Sequence, residues 1–175
     1  NQHLEKALAM VPESSRGWRV SLSRQIALNC ASFGDFECSQ KWLGNLEGYL
    51  SALSNARMAK YQHKLNWEVS YEWTRAAIFI QEGKFLEAER SYRQALKNNK
   101  VILEAAIDAG KDALDNETRV LQDATTNVKG QYGTRISLLN GLARSFIGQK
   151  RLNDAEYYAR EAVMLSIERF GVNST

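Results

Sequence analysis

Apolar residues recur at three- and four-residue intervals along most of this chain, the spacing of amphipathic helices that pack on one another. The first predicted helix covers residues 3–10, with Leu4, Ala7 and Leu8 on one face, and Val11-Pro12 ends it. Ser14 or Ser15 then offers an N-cap hydroxyl to a helix over 16–33, whose stripe is Val20, Leu22, Ile26, Ala27, Cys30 and Ala31. Gly34-Asp35 reads as a turn. A long helix over 36–63 follows, carrying Phe36, Trp42, Leu43, Leu46, Tyr49, Leu50, Leu53 and Ala56. Gly44 and Gly48 lie inside it at some cost in helix stability, so a close-packed neighbour is expected beside them.

From 65 to 82 the apolar stripe widens to include Trp67, Val69, Tyr71, Trp73, Ala76, Ala77, Phe79 and Ile80, which predicts a central helix buried on more than one side. Gly83-Lys84 turns the chain, and 85–98 returns antiparallel. Over 101–128, Ile107, Leu114, Leu121 and Val128 recur every seventh residue among charges. This reads as a long helix, continuous with its predecessor or kinked near Asn98-Asn99-Lys100, and the choice between one helix and two over 101–128 stays open. Gly130-Gln131-Tyr132-Gly133 reads as a loop, with Thr134 capping a last hairpin of helices over 135–147 and 152–170. Its turn is Gly148-Gln149-Lys150, and Gly171 sits just past the final helix.

Composition agrees with an all-helical reading. One proline in 175 residues, among abundant Ala, Leu, Glu, Gln, Lys and Arg, removes the main helix breaker. The basic excess is small, 23 Lys and Arg against 20 Asp and Glu, and scattered, so it gives no support to nucleic-acid binding. No apolar run is long enough to span a bilayer, which argues against membrane insertion. The chain starts without Met or a signal-like segment and reads as a piece of a longer protein or a processed form, one domain over 1–175. Its address stays open, with the cytoplasm preferred. Asn116-Glu117-Thr118 and Asn173-Ser174-Thr175 match the glycosylation triplet, a pattern that also arises by chance. Cys30 and Cys38 flank a turn and could face each other; two buried free thiols are preferred over a disulfide.

Two segments repeat one pattern. Aligning Ala88 with Ala155 places Ala76 on Ala143, Phe79 on Phe146, Phe85 on Leu152 and Ala95 on Ala162. A third, degraded copy supplies Ala27, Cys30, Gly34, Phe36, Ser39, Leu43 and Leu46. Small residues let helices approach to roughly 8–10 Å while large ones fill the remaining space, with Phe85 and Leu152 covering their turns.

On these residues the chain resembles the tetratricopeptide repeat family, whose signature pairs a small residue and an aromatic on one helix, Gly in the turn, and Ala-aromatic-Ala on the next. The middle copy carries Ala76, Phe79, Gly83, Phe85, Ala88, Tyr92 and Ala95. The last carries Ala143, Phe146, Leu152, Ala155, Ala159 and Ala162, with Lys150 where Gly is usual. The copies lie farther apart than the family's usual ~34 residues and lack its closing proline. The ending Ala162–Gly171 is similar to the long-helix repeats of kinesin light chains and of bacterial proteins that join such repeats to a CHAT protease domain. The resemblance implies an all-α superhelix of about three irregular antiparallel hairpins, acting as a protein- or peptide-binding scaffold. The alternative is a regulatory or sensor domain of a larger enzyme.

The family binds ligands on the concave face made by the first helix of each pair. By position, the resemblance assigns that role to Arg24, to Ser70, Trp73 and Ala77, and to Asn140 and Arg144. Arg24, Asn140 and Arg144 could donate charge-assisted or amide hydrogen bonds to a peptide carboxylate. Trp18, Trp42, Trp67 and Trp73 read mainly as core filling, Trp73 being the one expected to face the groove, and one ring of Tyr157-Tyr158 is expected outside. Arg57–Lys64 interleaves aromatic and basic residues and reads as a solvated helix end. Catalysis lacks a basis: His3 and His63 are the only histidines, and there is no metal-ligand spacing, phosphate loop or nucleophile elbow, while Cys30 or Cys38 with His63 is a pair only by coexistence. No cofactor is expected; a protein or peptide partner is, and self-association remains open.

Overall fold

The computed structural model describes residues 2–12, 15–54, 61–113 and 118–171. They form seven helices in chain order: α1 (Gln2–Met10), α2 (Arg16–Ser32), α3 (Phe36–Ser54), α4 (Tyr61–Gln81), α5 (Phe85–Ala113), α6 (Thr118–Gly148) and α7 (Leu152–Phe170). No strand occurs among the described residues, so the fold class is all-α. Each helix packs against its neighbours in sequence, and α2 with α4 and α4 with α6 also touch side by side. Short turns join α2 to α3, α4 to α5 and α6 to α7, making three antiparallel hairpins with α4 in the middle of the molecule.

The three turns have one hydrogen-bond design. Gly34, Gly83 and Lys150 adopt left-handed backbone with φ of 76°, 74° and 62°. One residue later, the N–H of Asp35, Lys84 and Arg151 donates back to the carbonyl of Cys30, Phe79 and Phe146, at 2.9, 2.8 and 2.9 Å. The left-handed residue itself donates to Ala31, Ile80 and Ile147. This is the paired bonding that satisfies the last carbonyls of a helix. The same Asp35, Lys84 and Arg151 then accept, through their carbonyls, the N–H of the fourth residue of the following helix, Ser39, Ala88 and Ala155. Lys150 takes a conformation that costs an L-residue about 1 kcal/mol, which is why Gly is the common choice in the other two turns.

Packing follows the aligned pattern. Ala27, Ala76 and Ala143 are buried at one position of the three first helices, and Ser39, Ala88 and Ala155 at one position of the second helices. The main core joins α4, α5, α6 and α7 through Val69, Ala76, Tyr92, Ala95, Leu138, Leu142, Phe146 and Ala155. A second core joins α2, α3 and α4 through Val20, Ala27, Leu43, Leu46 and Ile78, and a third seats α1 through Leu8 against Ile26 and Cys30. Burying a side chain such as Phe146 contributes roughly 1.5–3 kcal/mol.

Several expectations are corrected. The helix expected over 36–63 ends at Ser54, and a separate helix begins at Tyr61. The stretch 101–128 is shared between two helices, α5 ending at Ala113 and α6 starting at Thr118, while α5 runs unbroken through Asn98-Asn99-Lys100. The expected loop 130–133 is helical. There the Thr134 hydroxyl donates to the Gly130 carbonyl one turn back, at 3.1 Å, and caps nothing. Ser15 occupies the N-cap of α2, but its hydroxyl makes no capping bond.

Gly44 and Gly48 face outward with nothing within 4 Å of where a Cβ would lie. The glycines that permit close approach are Gly141 and Gly148 of α6. A Cβ there would overlap the ring of Tyr92 and the ring of Phe85, both on α5. Cys30 and Cys38 form a disulfide with sulfurs 2.06 Å apart, because the turn returns α3 alongside α2 with the two Cα atoms at 5.8 Å. The free-thiol reading is therefore wrong, and neither cysteine is available as a nucleophile toward His63. Leu152 does not cover its turn; it is 65% exposed.

Two outcomes test this packing. Gly141→Ala should lower unfolding free energy by about 2 kcal/mol, overpacking outweighing the gain in helix propensity, whereas Gly44→Ala should raise it by ~0.5–1 kcal/mol. Urea denaturation measures both. Thiol titration of the denatured chain should find no free thiol before reduction and two after, and reduction should cost about 2 kcal/mol of stability.

Candidate functional site

The side-by-side contacts of α2 with α4 and of α4 with α6 bring the first helices of the three hairpins together, and the sequence-assigned residues sort along them. Arg24 on α2 lies over the ring of Trp73 on α4, its guanidinium carbon 4.6 Å from the ring centroid. Its Nε donates to Thr74 Oγ1 at 3.0 Å, and Thr74 passes the bond on to the Ser70 carbonyl at 2.7 Å. Thr74 is fully buried, so this chain satisfies a hydroxyl that burial alone would penalise. Burial also lowers the Arg24 pKa from its ordinary value, yet a guanidinium remains charged at any physiological pH. Arg24, Ser70 and Trp73 are therefore one constellation.

Beside them a cavity of about 180 Å³ opens between α4 and α6. Trp67, Val69 and Trp73 give it an apolar lining, and Asn66, Ser70, Gln131 and Thr134 give it polar groups. The volume is below the ~300 Å³ at which small-molecule pockets begin, and suits one or two side chains of a peptide. A tighter apolar cleft bounded by Val20, Arg24, Leu46, Trp67 and Tyr71 adjoins it through the shared Trp67 and Ser70.

Gln131 is the residue the sequence reading missed, since it fell in the expected loop. Asn99 of α5, fully buried, donates through Nδ2 to the Gln131 side-chain oxygen at 3.0 Å and to its backbone carbonyl at 3.3 Å. Gln131 Nε2 in turn donates to Asn66 Oδ1 at 3.3 Å, linking α5, α6 and α4. Next to it Asn98 donates to Glu68 of α4 at 3.1 Å. The two asparagines thus bond sideways to flanking helices, which is why α5 does not break there. The signal that could have found this network is a pair of adjacent amides in the middle of an apolar-periodic segment.

The other assigned residues stand apart. Ala77 is half-buried one turn beyond Trp73. Asn140 and Arg144 are exposed on α6 and do not line the cavity. Arg144 acts electrostatically on the Tyr92 phenol of α5, opposing the burial that raises that group's pKa to about 12. Among the tryptophans, Trp42 and Trp67 pack against core as expected, and Trp67 also reaches the cavity. Trp18 instead stands 71% exposed. Tyr158 stacks on Phe146 with centroids 5.4 Å apart while Tyr157 points out, as expected for that pair. Of the basic stretch 57–64, residues 57–60 lie outside the described residues, while 61–64 form the first turn of α4, where Lys64 pairs with Glu68 at 3.8 Å. Both glycosylation triplets also fall largely outside them.

Among the described residues no helix is long and apolar enough to cross a membrane. Comparison of the chain with models of known families, with curated proteins and with solved structures finds no match.

The buried Tyr92 phenol carries a pH prediction. Its folded pKa of about 12 lies above the ordinary 10, so its neutral form favours the folded state. That contribution is complete below pH ~10 and is lost as pH rises toward ~12, by roughly 3 kcal/mol. Denaturation curves between pH 9 and 11.5 should show about 2 kcal/mol of this loss in the native chain and lack it in Tyr92→Phe.

Proposed function

We propose that the chain is a binding scaffold of the tetratricopeptide kind, with long helices, that holds an extended protein segment against α2, α4 and α6 and performs no chemistry of its own. The observation that carries this reading is the side-chain-sized cavity between α4 and α6, next to the Arg24–Trp73 pair. An apolar residue of the ligand fits over Trp67, Val69 and Trp73, while Asn66, Ser70, Gln131 and Thr134 supply hydrogen bonds to its backbone. Arg24 is already bonded to Thr74 and stacked on Trp73, so it favours an acidic neighbour without reorganising.

Two further facts support a curved array. The first helices touch one another in series, while the backbones of α3, α5 and α7 do not approach one another closely among the described residues, which bends such a stack toward the first-helix side. The three turns share one geometry, as repeated units do. The spacing between copies exceeds that of regular repeats because α5 and α6 are long.

The test is selection of a random peptide library displayed on phage against the chain, followed by binding measurements on blocked variants. Ser70→Arg and Thr134→Arg fill the cavity without removing core side chains. Selected peptides should bind these variants at least about tenfold more weakly, with unchanged thermal melts. Equal binding to the blocked variants, or no peptide selected, contradicts the reading.

A further inference from the structure

The first hairpin is closed differently from the other two. Four residues before the left-handed residue of each turn stand Cys30, Phe79 and Phe146, whose carbonyls accept the same turn hydrogen bond. In the later hairpins this position carries a ring. Phe146 is fully buried, stacked on Tyr158 and covered by the Arg151 guanidinium at 4.4 Å, and Phe79 has the Arg75 guanidinium over it at 5.3 Å. In the first hairpin a disulfide takes the place of the ring. Cys30 is buried and bonded to Cys38, which stands four residues after Gly34, where the other turns have Glu87 and Asp154. Trp42, the counterpart of Tyr158, packs on the cluster that holds this bond.

The disulfide also belongs to the floor on which α1 sits. Leu4 and Leu8 of α1 join one small apolar cluster with Ile26, Cys30, Cys38 and Trp42, whose buried members are separate from those of the core joining α2 and α3 to α4. At the end of α1, Arg19 donates to the Val11 and Pro12 carbonyls at 2.7 and 3.3 Å. Nine residues are too few for a helix to persist in water without packing, so α1 keeps its fold only while that floor is intact. The turn itself does not need the disulfide. The Asp35 N–H donates to the Cys30 carbonyl at 2.9 Å and the Cys38 N–H to Asp35 Oδ1 at 3.0 Å, so α2 and α3 stay joined when the sulfurs part. What changes is the floor: two thiols cannot stay as close as two bonded sulfurs, and forcing them apart inside a packed cluster displaces Leu8.

We infer that the Cys30–Cys38 pair is a redox latch: α1 is docked on the first hairpin while the disulfide is closed and is released when a dithiol reduces it. A thiolate of the reductant attacks the sulfur of Cys38, which is half-buried whereas Cys30 is buried, and the disulfide breaks toward Cys30, whose sulfur leaves and takes a proton. The second thiol of the reductant then attacks its own mixed disulfide and frees Cys38. The protein thereby gains two electrons and two protons, and the reductant departs as a cyclic disulfide. Release of α1 bares Ile26, which is fully buried beneath it. The coupling runs both ways, so whatever lifts α1 from its seat also makes the disulfide easier to reduce. The latch shares no residue with the cavity between α4 and α6, and the inference does not rest on the proposed function.

The test is amide hydrogen exchange with brief labelling of the intact chain, oxidised and after reduction by dithiothreitol. Reduction should speed exchange of the hydrogen-bonded amides of α1 by at least about tenfold while those of α6 and α7 stay protected in both forms, and reoxidation should restore the slow rates. The double variant Cys30→Ala, Cys38→Ala should show the fast α1 rates with or without dithiothreitol. Leu8→Asp lifts α1 without altering either cysteine. In a buffer of reduced and oxidised dithiothreitol it should shift the disulfide toward the dithiol by about the factor by which reduction speeds α1 exchange, read by alkylation and mass spectrometry. Three results overturn the inference: α1 rates unchanged by reduction, α6 and α7 amides exchanging as fast as those of α1 in the reduced chain, or a Leu8→Asp disulfide no easier to reduce than the native one.

Discussion

The packing of α6 on α5 is the constraint on which the rest of the molecule depends. Two long helices meet where Gly141 and Gly148 lie under the rings of Tyr92 and Phe85, and no other residue type leaves room for those rings. With α6 seated so closely, Phe146 is fully buried, with Arg151 over its ring at 4.4 Å, and Gln149 reaches back to Phe85 and Glu89. The third hairpin is thereby locked to the second. Widening this contact would move Gln131 and Thr134 away from Trp67 and Trp73, and the cavity between α4 and α6 would lose its walls.

Polar groups set register where apolar packing alone would allow sliding. Asn98 and Asn99 point from α5 to both neighbours, fixing Glu68 and Gln131 at one height along the stack. Gln40 of α3 performs a related task at the next interface, donating to Glu82 at 2.8 Å while Lys84 pairs with the other carboxylate oxygen at 2.7 Å. That ion pair and its hydrogen bond raise the pKa of Lys84 above its ordinary value, although the ammonium itself faces solvent. The effect of such bonds lies mainly in choosing one arrangement, since exposed pairs add little net stability.

The local elements were largely legible in the sequence because turns and small residues have strong physical causes. Gly34, Gly83 and Lys150 were aligned by pattern, and they share one left-handed turn. The alanines aligned with them are buried as close-approach positions require. What failed were inferences from single residue types. Glycines at 130 and 133 suggested a loop, yet α6 absorbs them because its other side chains pack on α5 and α7, and tertiary burial outweighs about 1 kcal/mol of propensity per glycine. Gly44 and Gly48 suggested a crossing that is absent, whereas Gly141 passed unremarked although it faces a tyrosine. The groove was half legible. Repeat positions brought Arg24, Ser70 and Trp73 together, but Gln131 depends on a contact over 32 residues that no local pattern encodes.

The most direct test of the account is the proton spectrum of Gly141. If α6 is seated on α5 as described, the Gly141 Hα resonances are shifted strongly by the Tyr92 ring current and show nuclear Overhauser contacts to that ring's protons. Gly141 Hα shifts at ordinary helical values, with no contact to Tyr92, would contradict the packing and with it the cavity between α4 and α6.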